Sequence, residues 1–178
     1  LFAGEDGVAA VSIIMYLQFL CIGIYFGFSM GLSTPLGYAY GDRNFSVCRV
    51  LEKYAYRFFS IAPIILYGCT YLLTPIGVRF FASPGSTVFN MAVSGLRLYG
   101  LGFLFSGINI FAAIRMMTYG KGYISGMITF LRSFALLLLF LTILPRFLEL
   151  NGIWLAIPAA EILTLVVALW TLRKKTVA

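Results

Sequence analysis

Five long apolar stretches fill nearly all of this 178-residue chain, and no other feature limits its fold so tightly. Against a membrane-spanning window they cover about residues 8–33, 55–78, 92–114, 122–144 and 152–172. The last holds ~21 residues, which at ~1.5 Å rise per residue match a hydrocarbon core ~30 Å thick. Hydrophobic residues make up 61% of the chain and charged residues 11%. An ordinary soluble domain carries about 25% charged residues, so this chain has too little polar surface for water. The expected fold is an all-α integral membrane protein with about five transmembrane helices, anchored in a lipid bilayer.

The joints between helices carry most of the charge. Tyr38 to Lys53 includes Asp42, Arg43, Arg49, Glu52 and Lys53, a density expected to lie outside lipid. Ser83-Pro84-Gly85 marks a turn between Arg79 and Thr87, Tyr119-Gly120-Lys121 a third joint, and Pro145 to Asn151 a fourth. No linker suggests a second domain. Lys and Arg near helix ends divide unevenly: Arg43, Arg49, Lys53, Arg57, Arg115, Lys121, Arg173, Lys174 and Lys175 fall on one side, Arg79 and Arg146 on the other. Nine against two predicts that the first side, and with it the C-terminus, is cytoplasmic. The net charge of +7 does not read as nucleic-acid binding, because the basic residues form no single clustered face between aromatic stacking platforms. The chain starts at Leu1 without a cleavable leader, and is expected to be a piece of something longer.

Chemistry is conspicuous mainly by what is missing. There is no histidine, which removes His-based acid/base work and His-ligated metal sites. Cys21, Cys48 and Cys69 have no metal spacing and no even pairing, and read as small apolar fillers. Neither a Gly-rich phosphate loop ending in Lys-Ser/Thr nor a Gly-x-Ser-x-Gly elbow occurs. The chain is therefore not expected to be an enzyme or to hold a metal or cofactor, and transport or structure must carry its function.

The polar groups at membrane depth are the candidates for that work. Glu161 stands mid-way along the last helix, where an acid costs roughly 2.5–3.5 kcal/mol to insert. Arg132 is about ten residues into the fourth helix, roughly 15 Å deep, and Glu161 is roughly 16 Å from the same surface of a ~30 Å core. The two short-looped helices are expected to pack antiparallel, which lets Arg132 and Glu161 pair. Two uses of such a pair stay open: permanent glue, or an ion-coupling site at which Glu161 alternates between Arg132, a proton and Na⁺.

Tyr16, Gln18, Ser106, Asn109 and Arg97 are the candidate cavity-lining residues. Tyr16 and Gln18 point about 200° apart and cannot share one cavity, whereas Ser106 and Asn109 share a helix face. Arg97 is placed near the outer interface, within snorkelling reach of water. Gly23, Gly27 and Gly31 recur every four residues, a seam that lets another helix backbone approach closely. Pro35 is expected to stop or kink that helix.

Several runs together carry a family resemblance: Gly7-Val8-Ala9-Ala10, Tyr16 through Gly31, Pro35, Tyr40-Gly41-Asp42-Arg43-Asn44, then Arg97, Gly107-Ile108-Asn109, Arg132, Pro145, Gly152-Ile153-Trp154 and Pro158-Ala159-Ala160-Glu161. In order and spacing the chain resembles the C-terminal lobe of a multidrug and toxic compound extrusion (MATE) transporter along essentially its whole length. The resemblance implies a fold of twelve helices in two six-helix lobes. It implies export of small cationic or amphipathic compounds across the cell membrane in exchange for H⁺ or Na⁺. The chain is similar to helices eight to twelve, so residues 1–178 form a single helical lobe lacking its first helix and the N-terminal lobe, a fragment expected to transport nothing alone. In many members the coupling acids lie on the absent helices or at positions without an acid here, and the third helix of this chain has none. Two other readings stand beside it: a lipid-linked oligosaccharide flippase of the same superfamily, needing Arg97 and Arg132 in a cationic cavity, and a non-transporting protein packing on a partner through the glycine seam.

Overall fold

A computed structural model describes residues 4–173. Its five membrane-length helices are α1 (Gly4–Gly41), α2 (Phe45–Arg79), α3 (Thr87–Thr118), α4 (Gly122–Ile143) and α5 (Pro145–Arg173). Each is apolar and long enough to cross a bilayer, and the protein is a multi-pass membrane protein. In lipid a backbone group has no water to bind, so segments this apolar close their hydrogen bonds internally as helix.

The joints are shorter than their charge suggests. α1 does not stop near residue 33: it runs through Pro35 to Gly41, about 57 Å at ~1.5 Å per residue. Its last turns bury Leu36 and Ala39 against Cys48 and Tyr119, and that packing outweighs the one backbone bond Pro35 lacks. The first joint shrinks to Asp42–Asn44, where the Asn44 side chain caps α2 by accepting from the Val47 amide at 3.3 Å. Arg49, Glu52 and Lys53 thus sit on a helix rather than in a loop. Ser86 caps α3 in the same way, its Oγ accepting from the Phe89 amide at 3.1 Å. α3 ends in a Schellman closure: Gly120 takes φ +73°, its amide donates to the Met117 carbonyl, and the Lys121 amide donates to the Met116 carbonyl.

The fourth joint falls inside the expected stretch from Pro145 to Asn151, although it is a short helical turn beginning at Pro145 rather than an open loop. The chain turns within α5 at Glu149, whose φ of 49° and ψ of −128° break the helical path. That fold-back sets Gly152 against the Leu144 carbonyl so closely that a methyl group would strike backbone.

α3 is the hub and packs against each of the other four helices. Of its most apolar window 72% is buried, against 6% for α4. α1 and α2 flank one side, burying Tyr25 and Phe59 against Phe103 and Phe111, while α4 and α5 cover the other through Ile128, Ala168 and Ala112. Between α1 and α4 a cleft remains, floored by α3 and α5.

The glycine seam does not hold a helix here. Gly23, Gly27 and Gly31 meet no atom within 4 Å, so among the described residues nothing packs on it. The helical spacing is as expected, but the face it marks points away from α2 and α3. Leu1, Lys174 and Lys175, which entered the reading of the chain's start and its orientation, lie outside the described residues.

Gly152→Ala is expected to cost about 1–3 kcal/mol, because the added carbon must displace backbone rather than a flexible side chain. Gly27→Ala, facing open space, is expected to be near neutral. Thermal melts in detergent compare the two; equal melting temperatures would show that the fold-back leaves room for a methyl group.

Candidate ion-coupling site

Glu161 is 4% exposed and reaches the cleft floor from the middle of α5. Arg132 Nε donates to its Oε1 at 2.8 Å, and Asn109 Nδ2 donates to its Oε2 at 2.7 Å. Asn109 Nδ2 also donates to the Glu161 backbone carbonyl at 2.9 Å, which ties α3 to α5 at side chain and backbone together. The acid is thus held by donors from two other helices, and Asn109 Oδ1 is left without a hydrogen-bond partner.

Local backbone irregularities set this arrangement. Residues Leu131–Ala135 form a π-bulge inside α4, whose extra residue shifts the register of Arg132 relative to a regular helix. In α3 a 3-10 turn at Gly100–Gly102 interrupts the helix one turn before Ser106. A Cβ on Gly102 would come within 3.2 Å of Ile157 Cγ2, so the close crossing of α3 and α5 beside Pro158 depends on a bare backbone.

The cleft above Glu161 has a volume of about 210 Å³ and is lined by Gln18 of α1, Tyr99 and Ser106 of α3, and Arg132 and Ser133 of α4. The Tyr99 phenol donates to Gln18 Oε1, bridging α1 to α3 at the cleft wall. Ser106 Oγ donates to the Gly102 carbonyl at 2.9 Å, so its proton is committed to its own helix. A roomier groove of about 370 Å³ between α1 and α2 is lined by Leu17, Leu20, Leu66 and Leu73 with no charged residue, a surface suited to lipid.

Of the candidates named from sequence, Glu161, Arg132, Asn109, Gln18 and Ser106 come together in this one place. Tyr16 does not: it is 66% exposed and stacks on Phe81 at 6.0 Å on the far side of α1, as its 200° offset from Gln18 demands. Arg97 is also elsewhere. Its guanidinium lies 4.6 Å from the centroid of the Tyr71 ring, toward α2, because its helix position faces α2 rather than the cleft.

A second charged cluster escaped the sequence reading. Arg115 Nε donates to Glu52 Oε1 at 2.5 Å, the Tyr119 phenol donates to the same oxygen at 2.7 Å, and the Tyr119 and Tyr40 rings lie 4.6 Å apart. The cluster joins α1, α2 and the end of α3. Burial, then the bond to Glu52, pushes the Tyr119 phenol up, so it stays protonated and keeps donating. By sequence Glu52 and Arg115 read as joint charges, and only the unusual company of one acid among Arg49, Lys53 and Arg57 hints otherwise.

Sequence comparison decides the family. A family model described as MatE matches residues 1–144. The chain belongs to the MatE family. That match stops before Glu161, so the acid itself lies beyond it. No curated protein sequence matches the chain. Among solved structures, the chain is similar to a single-residue mutant of the Vibrio cholerae MATE transporter VcmN, with a TM-score of 0.87 and 20% identity over 96% of this chain and 39% of that one. It is similar to a MOP superfamily transporter from Pyrococcus furiosus, described as having a binding pocket of reverse polarity, with a TM-score of 0.85 and 22% identity over 94% of this chain and 38% of that one. An outward-facing multidrug resistance MATE transporter gives 0.87 and 22% over 96% and 39%. At these identities the likeness establishes the fold, and the chain spans about 39% of the length of the solved transporters it matches.

Removing Arg132 leaves a buried carboxylate with Asn109 alone. Arg132→Ala is expected to cost about 3–5 kcal/mol and to lower yield and melting temperature. Adding Glu161→Gln is expected to restore much of the loss. A double mutant as unstable as the single one would show that the bridge contributes nothing.

Proposed function

We propose that this chain is the C-terminal part of a cation-coupled multidrug efflux antiporter of the cell membrane, and that Glu161 is its coupling acid. The complete protein adds the helix and N-terminal lobe lacking here and works by alternating access between lobes. Its substrates are small cationic or amphipathic compounds, its C-terminus is cytoplasmic, and residues 1–178 alone are inactive.

One observation carries the reading: the only acid among the described residues that floors the cleft is buried, is held by donors from two helices, and opens on that cleft. An intramembrane acid with this exposure to a cavity is a working residue by default. The fit to a coupling ion rests on oxygen chemistry. A proton needs one carboxylate oxygen, and Na⁺ needs several oxygens, to which Asn109 Oδ1, unpartnered on the side chain that grips Glu161, could add one. Either ion competes with Arg132 for the same acid, so loading the site loosens α4 from α5.

The flippase alternative fits less well. It requires two free arginines in a cationic cavity, whereas Arg132 is bound to Glu161 and Arg97 lies over Tyr71.

The test is transport by the full-length parent in proteoliposomes loaded with a fluorescent organic cation, under an imposed Na⁺ or H⁺ gradient. Glu161→Gln is expected to reduce gradient-driven export to background while protein level and fold are kept, and the gradient that drives the unmodified protein identifies the ion. Full export by Glu161→Gln would remove Glu161 from coupling.

A further inference from the structure

We propose that the face of α2 carrying Arg49, Lys53 and Arg57 binds the headgroup of an anionic phospholipid, whose acyl chains continue along Ile61 and Ile64. The three cations are four residues apart and so project from one side of the helix. All three are exposed, and together with Tyr56 and Ser60 they line a cavity of about 420 Å³. Among the described residues none of them is in an ion pair. The one acid in the same wall, Glu52, is already neutralised by Arg115 and bonded by Tyr119. The cavity therefore keeps its positive charge, and the Glu52 bridge that holds the wall together also prevents local neutralisation.

Position selects a lipid over a soluble anion. α2 is about 52 Å long at ~1.5 Å per residue, so in a ~30 Å core roughly seven residues project at each end if it is centred. Arg49 lies within the projecting turns, and Lys53 and Arg57 lie just inside, where long side chains snorkel outward to headgroups. Directly below, the same side of the helix turns apolar with Ile61 and Ile64, 60% and 67% exposed. A cationic cradle over an exposed aliphatic strip fits a molecule with a phosphate at one end and hydrocarbon at the other. Basic pockets at this level of a membrane helix attract anionic headgroups.

Native mass spectrometry of the full-length parent, equilibrated in detergent with equal phosphatidylglycerol and phosphatidylcholine, reads the site directly as the ratio of the two lipids retained. The unmodified protein is expected to favour phosphatidylglycerol. Arg49→Ala with Lys53→Ala and Arg57→Ala is expected to lower that ratio about tenfold. Arg79→Ala with Lys121→Ala and Arg146→Ala, an equal loss of charge at other exposed positions, is expected to leave it unchanged, as is Arg49→Lys with Arg57→Lys. A ratio that survives the first triple substitution, or that falls equally in the second, overturns the site. Loss of the preference on adding millimolar inorganic phosphate would assign the cradle to a free anion and overturn the lipid proposal.

Discussion

Charge that has left water must be matched inside the protein, and in this lobe α3 takes part in both matches, beside Arg132 of α4 at Glu161 and alone at Glu52. Asn109 meets Glu161 on one side of α3 and Arg115 meets Glu52 at its end. A buried acid left unmatched would cost several kcal/mol, more than most single packing contacts return. The burial of α3 follows from this role, since a helix that supplies polar partners in two directions has to be surrounded by the elements it serves. α4 shows the converse. It buries little of its surface: it lies along α5 and α3 with Ile128 as its one buried residue, and adds Arg132 to the bridge with Glu161.

The number of spans was legible because hydrocarbon imposes a length and a composition that local sequence must meet without help from tertiary contacts. Helix ends were not, because the headgroup region tolerates both charge and helix. Asp42 to Lys53 looked like a loop by charge, yet only Asp42–Asn44 leaves the helix, since α2 gains a cap from Asn44 and a buried partner for Glu52. Pro35 misled for a similar reason: the loss it causes is local, while the contacts of Leu36 and Ala39 that keep the helix going are made by residues distant in sequence.

The Arg132–Glu161 pair was readable from depth because antiparallel neighbours joined by a short turn place residues of equal depth side by side. That logic does not reach helices that are not consecutive. Asn109 was seen only as a polar group on a helix face, although it is the residue that fastens α3 to α5, and Arg115 with Glu52, 63 positions apart, was missed altogether. Arg97 was grouped with the cavity residues although it points to the α2 side of its helix. Depth fixes one coordinate of a membrane residue, and the rotation of the helix, which fixes the other, is set by packing.

Whether a buried pair is glue or a working site turns on what happens when it opens. In a bridge of two residues, losing the cation leaves the acid bare, and the cost locks the pair shut. Here the acid has a second donor on a different helix, and Asn109 grips both its carboxylate and its backbone carbonyl. If Arg132 withdraws, Glu161 therefore keeps its place and part of its hydrogen bonding, and an incoming cation or proton cancels the charge that remains. The expense of opening is lowered on α4, the least buried helix, which otherwise rests on α3 and α5 through apolar packing. A permanent bridge gains from the second donor too, since it satisfies a buried oxygen; what only a site of charge exchange would use is that the acid stays anchored once Arg132 has left.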